Sequence, residues 1–240
     1  MGMRTFLIML FFFTCNFVFC QVSTTLDVRA PSDPGYGTVQ YNNPSELGVK
    51  KQVTVDEDEV AGIPFWKNDW NKAYVFLTSG NVVKLNKAKL NLATNEIYFF
   101  DSSNTVKSAD AAKIKEIVFI DKNDSVKPLA VFYKLDYDGN VFFQVLNKGD
   151  NQLLKVTKVS VIKRDYNAML GKDEYAYESK PVYYLFHSAQ LSKIDALSRE
   201  NMVSLLDFSN GYNKWLDDNK NKLRNETDWV NFLNYYNSKQ

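Results

Sequence analysis

The stretch AVFYKLDYDGNVFFQVLN, residues 130–147, constrains the fold more than any other part of this chain. Two runs rich in Val, Phe and Tyr flank Asp138-Gly139. Asp-Gly is a pair that readily takes the positive φ of a tight hairpin turn. Similar runs lie on both sides. AYVFLT and VVKL flank the glycine-containing SGN, and NEIYFF, KIKEIVFI, QLLKVTKVSVIK and PVYYLFHS extend the series. Neighbouring strands joined by short turns imply antiparallel pairing. No helical segments alternate with them, which argues against a parallel doubly wound sheet. The pattern predicts an antiparallel sheet or sandwich over residues 63–193. Within it, the charged segment 164–180, with Gly171, Tyr175 and Tyr177, reads as a long loop.

From about Ser198 the period changes. Met202, Leu205 and Leu206 share one helical face, as do Tyr212, Trp215 and Leu216 after a break at Ser209-Asn210-Gly211. Trp229, Phe232, Leu233 and Tyr236 then recur at i, i+3, i+4 and i+7. Asn225 is the expected N-cap of this last helix, with Glu226 and Asp228 favourable in its first turn. Three short amphipathic helices cannot bury their stripes alone. The expected fold class is therefore α+β: strands first, then a helical C-terminal cap over residues 194–240 packed on them.

The N-terminus carries one basic residue, Arg4, ahead of an uncharged apolar run over residues 6–20. Spanning a bilayer core needs about 20 apolar residues, so this run reads as a secretory signal peptide, residues 1–20. Cleavage between Cys20 and Gln21 is the expectation, with an exported product in the periplasm or outside the cell. The alternative is a lipid anchor on Cys20, or on Cys15. Bulky Phe19 ahead of Cys20 does not suit that chemistry. Cys15 and Cys20 are the chain's 2 cysteines, so a chain starting at Gln21 holds none. Disulfides, thiol catalysis and cysteine metal sites are then excluded.

Loss of Arg4 also balances the charge: 28 basic residues remain against 28 acidic ones. A neutral chain argues against nucleic-acid binding and against electrostatic capture by anionic lipid. Residues 21–62 carry Pro31, Pro34, Gly35, Gly37, Pro44 and Gly48, then the acidic run 56–59. Apolar residues recur there at no fixed period, so this segment reads as a flexible leader.

Two segments bear a family likeness. WKNDWNKAYVFLTSGNVVKLNKAKLNLATNEIYF, residues 66–99, and the closing DWVNFLNYYN, residues 228–237, resemble a group of exported β-rich proteins of Bacteroidetes-type bacteria. Ala73 stands where that group carries glycine. The resemblance implies export and fold. It implies no chemistry.

Motifs for catalysis are sparse. His187 is the single histidine, and no G-x-S-x-G supplies a nucleophile elbow. A zinc site needs several His or Cys ligands, so no metal is expected. DYDGN and DKNDS fail as EF-hand loops because Val141 and Val126 stand where glycine is required. No phosphate-binding glycine loop is present and no cofactor is expected. The lysine-rich run Lys155, Lys158, Lys163, Arg164 reads as a solvated face or edge protection. Aromatic residues are the one unusual feature. Phe65, Trp66 and Trp70 cluster before the first strand of the β domain, either as a stacking surface for a sugar or aliphatic ligand or as a seal on the core.

The expected function is that of a non-enzymatic envelope protein acting through another envelope component. The alternative is a glycan- or lipid-binding module using Phe65, Trp66 and Trp70. A carboxylate-based hydrolase is the third reading.

Overall fold

The hairpins expected along the chain assemble into one sheet. The computed structural model describes residues 41–52, 60–121, 127–135, 137, 141–167, 169, 172–206 and 210–240. The expected signal peptide with Cys15, Cys20 and Gln21, the acidic run 56–59, most of DKNDS and the Asp138-Gly139 turn lie outside them. The strands are β1 (Tyr41–Asn42), β2 (Val49–Gln52), β3 (Val60–Ala61), β4 (Asn71–Leu77), β5 (Val82–Asn91), β6 (Glu96–Phe100) and β7 (Val106–Ala109). They continue with β8 (Ile114–Ile120), β9 (Pro128–Lys134), β10 (Phe142–Val145), β11 (Gln152–Asn167), β12 (Lys172–His187) and β13 (Gln190–Ile194). Helices α1 (Arg199–Leu205), α2 (Asn210–Asp218) and α3 (Glu226–Asn237) follow. The class is α+β.

Sheet and sandwich were both open from sequence, and the described strands form a single sheet. Its order is β13-β12-β11-β10-β9-β8-β4-β5-β6-β7-β2, antiparallel throughout. Short β1 and β3 add parallel to β5 and β12. The register shifts in five strand pairs. Such bulges bend and twist the strands that carry them.

Two parts of the sequence reading are corrected. The leader expected over 21–62 does not reach residue 62. A 3-10 turn at Pro44–Leu47 buries Leu47 completely, β2 pairs with β7, and β3 pairs with β12. Strands of two to four residues are too short to show a period. The loop expected at 164–180 is strand: β11 and β12 pair continuously out to Asn167↔Lys172. Residues 161–166 are exposed on both faces of this ribbon, so they carry no apolar alternation to read.

Alternation explains the rest. Inward residues of β4 to β10, among them Val75, Leu85, Ile97, Ile117, Phe119 and Phe132, form the main core. The IVFI of β8 is apolar without alternation because it is buried on both faces, with Val118 and Ile120 in a second cluster. The helices bury their stripes on the inner face of β11–β13: Met202, Leu216, Trp229, Phe232 and Tyr236 pack with Leu153, Leu185 and Ile194. Asn225 caps α3 by accepting from the N–H of Asp228 at 2.9 Å. Among the described residues no helix is long and apolar enough to cross a membrane.

A polar clamp fixes the start of α3 to the sheet. Glu226 Oε2 accepts from Lys155 Nζ at 2.9 Å and from Tyr183 OH at 3.1 Å. Desolvation, and then the adjacent Glu226 carboxylate, push the Tyr183 phenol up to about 12. A phenol whose folded pKa is raised contributes stability fully present below its unfolded value near 10, lost as pH climbs through the folded one. Tyr183→Phe is expected to remove a component ionising near pH 12 from the ultraviolet titration. Glu226→Gln is expected to lower that midpoint only in part, since desolvation remains.

Candidate functional site

An extended chain sends adjacent side chains to opposite sides, and this separates the three aromatic residues expected to act together. The Trp66 N–H donates to the Leu90 carbonyl at 2.9 Å, and the Leu92 N–H to the Pro64 carbonyl at 2.8 Å. These bonds hold residues 64–66 along β5. Phe65 then lies on the outer face, 6% exposed, edge-on to Tyr98 at 5.7 Å. Trp66 turns inward against Phe119 at 5.0 Å and Phe132 at 5.4 Å, and seals the main core. Trp70 packs on Phe100 at 4.7 Å and stays half-buried. The gap between Phe65 and Trp70 is filled from within: Lys89 Nζ lies 4.9 Å from each ring centroid. The structure therefore brings Phe65 and Trp70 together around a lysine and leaves Trp66 apart. Trp66→Ala is expected to lower stability by about 2 kcal/mol, less than a fully buried Trp because the ring is half-buried. Denaturant unfolding checks it.

Lys89 is one of a row. Lys84 Nζ stands 5.9 Å from the Tyr74 ring and Lys87 Nζ 5.0 Å from the Phe100 ring. All three lysines project from β5. Beside them a cleft of about 630 Å³ opens between β5, the β6–β7 turn and the 3-10 turn at Pro44–Leu47. Its polar lining includes Lys84, Lys87 and Lys107, with Asn86, Asn104 and Ser102, and Phe100 forms part of its wall. Asp101 is the one carboxylate in that lining, and it is already engaged. It accepts from the Thr105 and Ser103 N–H groups at 2.9 Å each and lies 3.6 Å from Lys107 Nζ. These interactions, the Thr105 N–H foremost, hold its carboxyl below the usual range. The sequence reading missed Lys84, Lys87, Phe100 and Lys107. The three lysines of VVKLNKAKLN were the available signal, Lys87 and Lys89 two apart and Lys84 three residues before Lys87, across a register shift between β4 and β5. The run Lys155–Arg164 is no anion site where its contacts are defined: Lys155 pairs with Glu226 and Lys163 with Asp173.

The distal half of β11 and β12 forms the second unusual feature. β10 reaches only Lys155 on β11, and β13 reaches only Tyr183 on β12. Past Val159, which still packs on the main core, the ribbon runs on as an arm that pairs among the described strands with β3, at Tyr175 and Ala176. Val161, Ile162, Tyr166, Met169 and Tyr175 are exposed there, Met169 at 97%. Five of the eight large apolar residues exposed among the described residues lie on this arm.

His187 belongs to a structural network. Asn237 Oδ1 accepts from Asn151 Nδ2 at 2.7 Å. Asn151 therefore turns its Oδ1 to His187 Nδ1, which carries the proton. His187 Nε2 then accepts from Ser188 Oγ at 3.0 Å. Ser188 and Ala189, with φ of 49° and 59°, are the tight turn between β12 and β13. Among the described residues no group of three or more His, Cys, Asp or Glu is placed to hold a metal. Comparison with protein-family profiles, curated proteins and solved structures gave no match.

Proposed function

We propose that this is an exported protein that works by docking onto another envelope component through the β11–β12 arm. The observation that carries the reading is the concentration of exposed apolar side chains on that arm. Monomeric proteins rarely gather exposed apolar residues in one place without a partner to cover them. Beyond Lys155 no described strand pairs with the β10 side of β11, and that row of backbone groups suits pairing with an extended partner segment. Lys158, Lys163 and Arg164 along this edge disfavour indiscriminate strand pairing, which is how edges are kept selective. Export is supported by the uncharged run at 6–20 and by the resemblance of segments 66–99 and 228–237. The role is binding rather than catalysis.

Photo-crosslinking tests this reading in the native host. A crosslinking amino acid at position 169 is expected to trap one envelope protein. The same group at exposed Asn219, on the helical cap, is expected to trap none. Ile162→Thr with Tyr166→Thr keeps strand-forming side chains but removes apolar area. This pair is expected to abolish the adduct at 169. An adduct pattern equal at 169 and 219, or indifferent to the two changes, overturns the proposal.

A further inference from the structure

We infer that the cleft beside β5 binds an acidic glycan, a sugar chain bearing carboxylate or sulfate groups. This site is separate from the arm and does not depend on it. Four observations converge. The cleft, about 630 Å³, has the size of a small-ligand site. Its lining holds Lys84, Lys87 and Lys107 with Asp101, an excess of two positive charges once Lys107 is set against that carboxylate. That carboxylate is already satisfied by two backbone N–H groups and by Lys107, so it offers a ligand little repulsion. The remaining lining, Asn86, Asn104 and Ser102, supplies the donors and acceptors that sugar hydroxyls need.

The aromatic rings sharpen the assignment. Lys84 and Lys87 lie over Tyr74 and Phe100, which restrain these long side chains and limit the entropy lost when an anion is bound. Phe100, backed by Trp70, offers an apolar wall beside the charges. A pyranose ring with an attached anion has both the apolar face and the charge to match.

Isothermal titration of the full-length exported chain with oligogalacturonate tests the inference, with the methyl-esterified oligomer as the uncharged control. Binding is expected for the acid form, weakening with added salt as screened ion pairs must. Little is expected for the methyl ester. Lys87→Gln with Lys107→Gln is expected to weaken binding about tenfold, the combined effect of two partly exposed ion pairs. Lys87 is exposed and Lys107 half-buried beside Asp101, and thermal unfolding checks that the variant is folded. A sulfated dextran against plain dextran repeats the comparison with the other anion. Three results overturn the inference: no binding of either polyanion, equal binding of charged and uncharged forms, or binding unchanged in the double variant.

Discussion

Trp229→Ala is expected to lower the unfolding free energy by about 4 kcal/mol, the largest effect of any single change at the helical cap. Its indole is fully buried between the helices and the inner face of β11–β13. Its Nε1–H donates to the Leu223 carbonyl at 2.9 Å. Leu223 sits at a positive φ of 51°, unusual for a branched side chain, and is itself buried. The indole thus fills the core and also fixes the turn that leads into α3. Trp229→Phe keeps most of the ring and loses the hydrogen bond, so about 1–2 kcal/mol is expected. The cap shares its core with Leu153, Leu185 and Ile194 of the sheet, so one concerted transition is expected in urea. Two separate transitions, only one of them shifted by Trp229→Ala, would mean that the cap folds independently.

The second large effect is expected at Asn237, the last residue of α3. Its Oδ1 accepts from the Asn151 backbone N–H at 3.1 Å and from Asn151 Nδ2 at 2.7 Å. Its Nδ2 donates to the Lys148 carbonyl at 2.8 Å and the Asn151 carbonyl at 2.9 Å. One side chain thus ties the end of the helix to the β10–β11 turn. Asn147 completes the knot by donating to the Asn151 carbonyl and accepting from the Leu153 N–H at 2.6 Å. Asn237→Ala is expected to cost about 3 kcal/mol, because buried groups around Asn151 lose their partners. Asn237→Asp has the same shape but sets a carboxylate oxygen against two carbonyls, so a similar loss is expected. That pair of results separates hydrogen bonding from packing.

Gly149 makes the same point from the other side. It has a φ of +109°, and a Cβ there stands 2.4 Å from Asn237 Nδ2. Gly149→Ala alone is expected to be strongly destabilising. Combined with Asn237→Ala it is expected to cost less than the sum, since the contacts with Nδ2 and Cγ are gone while the one with the residue 237 Cβ at 2.9 Å and the backbone strain stay. Strict additivity in denaturant unfolding would show that the two residues do not meet.

Much of this fold was written locally. KIKEIVFI, VFFQVLN and QLLKVTKV announced strands because pleated backbone alternates side chains, and short turns between them fixed antiparallel pairing. Trp229, Phe232, Leu233 and Tyr236 announced α3 because helical spacing stacks them on one face, and Asn225 marked its start through the N–H it caps. These signals need only residues within a turn or two of one another, so sequence alone determined the α+β order of the chain.

Tertiary structure decided the rest. β11 and β12 run on through 164–180 because each strand pairs with the other, while their exposed faces demand no apolar period. Leu47 is core only because β2 and β7 pair at the end of the sheet. Trp66 and Trp70 are four positions apart, yet the segment's docking on β5 sends one into the core and leaves the other outside. The cleft depends on pairing most of all. Lys87, Phe100 and Lys107 come from three strands, and Lys107, opposite Phe99 across β6 and β7, lines the cleft where it pairs with Asp101. Register across strands is set by packing over the whole sheet. No local stretch of this sequence carries it.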